Sequence, residues 1–179
     1  MLEVSDSALV MLALLFLFDS EGLLLPFLAA AALHELGHLL ALRLTGGTLR
    51  RLCLTAAGGR MDCILPDGRL ACCAVHFAGP AANLAAAALF RTLGFPLFAG
   101  ANFVLSAFNL LPICPMDGYA CLEALSGGAA RRARAALSLC FAILLCAAGS
   151  CIFCAGYGVS LAVIGTFLTV FSAKNLQNS

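Results

Sequence analysis

Long apolar runs follow one another through this chain with little between them, and that limits the fold more than any other feature. Candidate stretches lie at about 7–18, 23–43, 73–92, 95–113, 135–154 and 157–173. A span of the hydrocarbon core needs roughly 20 apolar residues in helix. Inside lipid no water serves the backbone N–H and C=O groups, so a lone spanning segment must bond them within itself, as a helix does. Composition agrees: 63% of the residues are hydrophobic and 11% charged, where a soluble domain has about half and about a quarter. The mean hydropathy is +1.03. The expected architecture is an all-α polytopic membrane protein with about six transmembrane helices, forming a single integral domain over 1–179. The first stretch is the shortest, and whether it fully spans is the open point of that count.

Residues 46–72 differ from the rest. "GGTLRRLCLTAAGGRMDCILPDGRLACC" alternates short apolar runs with two glycine turns and a PDG turn, which predicts two to four short strands between helices 2 and 3. Charge placement fixes an expected sidedness. With six spans and both termini inside, Arg43, Arg50, Arg51, Arg60, Arg69, Arg131, Arg132, Arg134 and Lys174 fall on the inner side. Arg91 alone falls outside, so nine of the ten basic residues share one side, as the positive-inside rule asks. The N-terminus opens with Glu3 and Asp6 and does not read as a secretory signal. A net charge of +1, with basic residues not interleaved with aromatics, gives no support for a nucleic-acid partner. The ten cysteines lie mostly in apolar runs, where a thiol packs as a small hydrophobe. Cys151–Cys154 has CxxC spacing but no second pair, so packing is expected there rather than a metal.

Within the second run, "LPFLAAAALHELGHLLALRL" carries the HExxH pattern at 34–38. On a helix, positions i and i+4 share a face, so His34 and His38 can reach one metal ion while Glu35 stands beside it. Neutral imidazole suits zinc, and in zinc hydrolases of this pattern the glutamate takes a proton from water. At this chain's His and Glu frequencies the pattern arises by chance roughly once in a thousand such sequences. The competing reading, two core histidines beside a buried neutral glutamate, is costly in a membrane, where one central charge costs at least about 2.5–3.5 kcal/mol.

A catalytic zinc site takes three protein ligands. Of the few acidic residues near a span, Asp19 and Glu21 lie at the wrong end. Glu123 lies beyond the span. Asp117, in "NLLPICPMDGY", follows Pro112 and Pro115, which must break the helix and let the chain turn back. An interfacial Asp-Gly turn is the bland alternative for that dipeptide. A third signal is "AGPAAN" at 78–83: Gly79 and Pro80 permit a kink and close helix approach, and Asn83 is an amide alone in hydrocarbon. It would bond a neighbouring helix or a substrate carbonyl. His76 reads as a hydrogen-bonding residue rather than a ligand.

HELGH, AGPAAN and NLLPICPMDG, in this order, resemble the site-2 protease (M50) family of intramembrane zinc metalloproteases, over roughly residues 7–134. The layout is most similar to the stage IV sporulation protein FB group. The resemblance implies Zn2+ held by His34, His38 and Asp117, with Glu35 as catalytic base. It implies that Asn83 and Asn109 help hold substrate or the tetrahedral intermediate, and that the sheet at 46–72 takes up an unwound substrate strand at its edge. Tyr119 departs from the small residue such a motif leads one to expect. Neither a cystathionine-β-synthase-like domain nor a PDZ insertion is expected in 1–179.

The expected function is regulated intramembrane proteolysis by a zinc endopeptidase. Its substrate would be a membrane-embedded or membrane-tethered protein, in sporulation signalling if the nearest resemblance holds, and an inhibitory membrane partner would restrain it. The bilayer is its other partner. The expected place is a bacterial plasma membrane, with both termini and the active site towards the cytoplasm. Two alternatives compete. Another membrane zinc protease class, such as a prenyl-protein protease, would want a glutamate ligand in a downstream helical motif. A non-proteolytic zinc-dependent binding or transport protein would want polar residues along several spans.

Overall fold

The computed structural model describes residues 2–55 and 58–178. The chain forms two compact units, Met1–Ala107 and Phe108–Ser179. In the first unit a short strand β1 (Leu2–Val4) precedes helix α1 (Asp6–Phe18) and the long helix α2 (Leu24–Leu44). A hairpin follows, β2 (Thr48–Thr55) and β3 (Gly58–Ile64), then helix α3 (Arg69–Thr92) and helix α4 (Pro96–Asn109), which crosses the unit boundary. The second unit goes on with α5 (Asp117–Ser126), a 3-10 turn (Gly127–Ala130), α6 (Arg131–Cys154) and α7 (Ser160–Gln177).

Local chemistry sets the helix ends. Ser5 caps α1, its hydroxyl accepting from the Ala8 N–H at 3.2 Å. The acidic turn at 19–22 caps α2: both Asp19 carboxylate oxygens accept, from Leu23 N–H at 2.8 Å and Leu24 N–H at 3.1 Å. These bonds satisfy donors that the first helical turn leaves open. Pro80 lies inside α3 without breaking it, and its carbonyl accepts from the Ser106 hydroxyl of α4 at 2.9 Å.

The polar break at 46–72 supplies two strands, within the predicted range; Ala56 and Ala57 of that stretch lie outside the described residues. The sheet has a third strand from elsewhere, in the order β1-β2-β3. β1 runs parallel to β2, pairing Leu2 with Leu52 and Val4 with Leu54. β2 and β3 run antiparallel, with an irregularity between Leu49 and Arg51. The chain is thus helical with a small sheet, not purely helical outside a hairpin.

Among the described residues three helices, α2, α3 and α6, are long and apolar enough to cross a membrane. α1, with 13 residues, and α4, with 14, reach only about 20 Å at 1.5 Å per residue against a hydrocarbon core of about 30 Å. Large apolar side chains such as Phe16, Leu44, Phe103, Leu144 and Phe167 point outward, the surface a membrane protein shows to lipid.

Small residues bring the helices close. A Cβ on Gly37 of α2 would meet the Ala78 carbonyl oxygen at 2.7 Å and the Ala82 Cβ at 2.9 Å on α3. In the second unit α6 and α7 pair as a hairpin over a core of Ile113, Ala142 and Leu168, with Leu111, Met116 and Leu145 against it.

Candidate metal centre and active site

In the first unit, α2 turns His34 and His38 to its buried face, with 6% and 5% exposure. Their Nε2 atoms stand 3.0 Å apart. His34 Nδ1 is 2.6 Å from Asn83 Oδ1, and His38 Nδ1 is 2.7 Å from the Val75 carbonyl oxygen. Both partners are acceptors, so both Nδ1 atoms carry the ring proton. The orientation of the Asn83 amide is not arbitrary. Its Nδ2 donates to the Ala30 carbonyl at 2.9 Å and to Asn102 Oδ1 at 2.7 Å, and Asn102 Nδ2 donates to the Phe98 carbonyl at 2.8 Å. Flipping either amide would set donor against donor or acceptor against acceptor.

The consequence is chemical. In the neutral tautomers both Nε2 atoms present lone pairs, and these point at one another. A cation shared by the two lone pairs removes the conflict. Two nitrogens each about 2.0–2.1 Å from a tetrahedral zinc stand about 3.3 Å apart, close to the observed spacing. The donor set fits zinc, and the partners on Nδ1 are of the kind that orient metal-binding histidines.

Gly79 makes room for this arrangement. A Cβ there would fall on the His38 ring, against Nε2 and 2.6 Å from Cε1. The AGPAAN stretch therefore serves twice on α3: Gly79 leaves space for one imidazole and Asn83 holds the other. Asn83 is fully buried with both amide protons committed inside the protein, so its position here is an orienting one. Holding substrate, the role the resemblance implies, would require one of those bonds to exchange.

Glu35, partly buried, follows His34 on α2. A Cβ on Gly59 would lie 2.7 Å from Glu35 Oε1, so the start of β3 runs directly against the carboxylate. His76 lies on α3, partly buried.

In the second unit, Asp117 is the first residue of α5 and is partly buried. Its neighbour Gly118 is required by a close approach: a Cβ there would press on the backbone of Leu110 and Leu111, 2.7 Å from the Leu111 carbonyl oxygen. The connection before it is pinned by the Cys114 N–H donating to Ser138 Oγ at 2.9 Å, with Ser138 paired to Ser172 at 2.9 Å. The prolines thus end α4 and start a new helix at the aspartate. Asn109, partly buried, is the last residue of α4. Glu123, the other acidic candidate, pairs with Arg134 at 3.4 Å. Burial pushes the Cys114 thiol above the ordinary range, and the Glu123 carboxylate adds to the rise.

Sequence reasoning passed over Asn102 and the Val75 carbonyl. An asparagine in an apolar helix is itself a signal, since such an amide must find partners, and Asn102 could have been found beside Asn83 on that ground. A backbone carbonyl leaves no trace in sequence.

The fold is that of a site-2 protease: the chain superposes on the solved "Site-2 Protease from Methanocaldococcus jannaschii" with a TM-score of 0.68 and 19% identity, covering 98% of this chain and 90% of that one. In sequence it is similar to the "Putative zinc metalloprotease Rip3" of two Mycobacterium tuberculosis strains, Erdman and H37Rv, at 33% identity over 176 residues. That match takes in 79% of this chain and 42% of the relative, so the chain spans less than half the length of the curated relatives it matches. No protein-family model matches the chain. The fold match is to a site-2 protease and the sequence match to a putative zinc metalloprotease, and neither singles out the stage IV sporulation FB group.

Proposed function

We propose that this chain is an intramembrane zinc endopeptidase of the site-2 protease family, in which His34, His38 and Asp117 hold the metal and Glu35 is the catalytic base. The observation that carries the reading is the pair of buried imidazoles, both protonated on Nδ1 and facing each other through Nε2. Two histidines and one carboxylate are a catalytic-type zinc donor set. Asp117, partly buried, is favoured over Glu123, whose side chain is 59% exposed.

Zinc held there would acidify water and polarise the scissile carbonyl. The rest is done by the chain's own side chains. Glu35 takes a proton from the attacking water on its carboxylate and passes it to the leaving amine nitrogen as the C–N bond breaks. Asn83 and the Val75 carbonyl keep both imidazoles in the tautomer that presents Nε2. Asn109 holds the substrate carbonyl. A substrate helix shields its own amides, so it must unwind. An unwound strand pairing along β3 would replace those bonds, and β3 starts beside Glu35.

In this reading the apolar helices make six crossings, the short α1 and α4 where the bilayer thins locally to meet them, with both termini cytoplasmic in a bacterial plasma membrane. The substrate is a membrane-tethered protein and a membrane partner restrains cleavage. The test is co-expression of wild type or Glu35→Gln with candidate tethered substrates, sporulation regulators among them. A fragment made only by wild type supports the reading. Equal fragment from both, or zinc-loaded protein that cleaves none while transporting zinc, overturns it.

A further inference from the structure

A cavity of about 390 Å³ opens in the second unit among Tyr119, Glu123, Arg131, Arg134 and Asn175, with Gly127 and Gly128 as backbone wall. It lies at the end of the α6–α7 hairpin where α6 begins and α7 finishes. That end also carries Arg132 and Lys174, while the opposite end, 155–159, is uncharged.

The cavity wall has more donors than acceptors. Arg134 is buried, with 6% exposure. It donates to Ser126 Oγ and the Gly127 carbonyl, both at 2.6 Å, and reaches Glu123 at 3.4 Å. Its Nε–H is buried with no partner among the described residues. Asn175 Nδ2 donates to the Tyr119 hydroxyl at 3.0 Å, which turns the tyrosine proton to the cavity. Arg131 gives one N–H to the Asn178 carbonyl at 2.9 Å, and the rest of its fork is exposed. Against these stands one carboxylate, Glu123, whose side chain is 59% exposed and whose bond to Arg134 is long, so it can turn to water.

We propose that this cavity binds a phosphate-type anion, either the phosphate of a phospholipid headgroup or a free phosphate compound. The exposed Arg131 fork matches a tetrahedral oxyanion, the buried Arg134 guanidinium adds positive charge behind it, and the tyrosine hydroxyl supplies a donor from a second helix. The volume exceeds a bare phosphate, leaving room for what is esterified to it. The charged end of a hairpin with exposed Leu137, Phe141 and Phe171 is also the level where headgroups sit. This gives Tyr119 a role: where the motif leads one to expect a small residue, the chain places a hydroxyl on the cavity wall. Tyr119 stands two residues after Asp117 in α5, so an anion that fixes it also steadies the helix presenting Asp117. That last consequence rests on the proteolytic reading; binding does not.

The chain has two tyrosines and no tryptophan, so Tyr157→Phe leaves Tyr119 as the only emitter of its kind. The full-length Tyr157→Phe protein, stripped of lipid by exchange into a phosphate-free maltoside detergent, is titrated separately with sodium phosphate, dihexanoyl phosphatidylglycerol, and sodium chloride at matched ionic strength. A saturable change in Tyr119 emission is expected, weakened about tenfold by Arg131→Gln through loss of one charged hydrogen-bonding group. Arg131 is exposed, so this variant folds even if changes at Arg134 do not. Saturation by phosphate assigns a free anion, and saturation by the lipid alone assigns a headgroup. The proposal is overturned if neither probe saturates, if chloride reproduces the change, or if Arg131→Gln leaves the affinity intact.

Discussion

Gly79→Ala adds one methyl group, and the structure says where it would go. The new Cβ would press on His38 Nε2 and stand 2.6 Å from Cε1 and 2.8 Å from Cδ2. Carbon contacts settle at about 3.5–4.0 Å, so the ring must retreat by roughly 1 Å. The His38 Nδ1 bond to the Val75 carbonyl is 2.7 Å, and a shift of that size carries it beyond hydrogen-bond range. Overpacking costs about 1–3 kcal/mol, and alanine's better helix propensity offsets about 1 kcal/mol, so the fold should survive. The site should not: misplacing a reacting group by about 1 Å costs on the order of 100-fold in rate, and losing an imidazole's orienting partner costs about 10–100-fold in metal affinity. Zinc content after gel filtration, substrate cleavage and a thermal melt are read on the same preparation. The expectation is a melt within a few degrees of wild type (about 0–2 kcal/mol), with zinc and cleavage sharply reduced. Gly100→Ala in α4, which meets nothing within 4 Å, is the silent control. If Gly79→Ala keeps wild-type zinc and cleavage, His38 does not occupy the place argued for it.

Three further outcomes follow. Asn83→Ala leaves the His34 Nδ1 proton, the Ala30 carbonyl and Asn102 Oδ1 without this partner; zinc affinity should fall about 10–100-fold, measured by competition with a chelator, and unchanged affinity would remove Asn83 from the site. Asp117→Ala should lose both zinc and cleavage, whereas Glu35→Gln keeps zinc and loses cleavage; an Asp117→Ala protein with full zinc would turn attention to Glu123. The Cys114 thiol is raised by burial first and by Glu123 second, and only the thiolate reacts with alkylating agents. Its alkylation should therefore need higher pH than a free thiol, and Glu123→Gln should lower that midpoint without bringing it to the ordinary value. A midpoint indifferent to Glu123→Gln would refute the electrostatic part.

What the sequence determined by itself is what depends on neighbours along the chain. Apolar runs must become helices where water is absent. HELGH at a spacing of four puts two imidazoles on one helix face, and α2 buries that face. Pro112 and Pro115 end one helix before Asp117, and the polar break at 46–72 holds the two strands of a hairpin. Length did not follow so directly: the stretches at 7–18 and 95–113 carry no charge, yet α1 and α4 stop short of a full crossing length. The tertiary structure alone decided the contacts between residues far apart in the chain. β1 is three residues long and joins β2 across some fifty positions, too short to announce itself by alternation. Asn83 faces His34 rather than open space, the Val75 carbonyl fixes the tautomer of His38, and Tyr119 turns its hydroxyl to Asn175 on α7. Such pairings depend on which helix packs on which and at what height. A hydrogen bond or a one-methyl gap is resolved at a fraction of an ångström, while sequence periodicity specifies only the face of a helix.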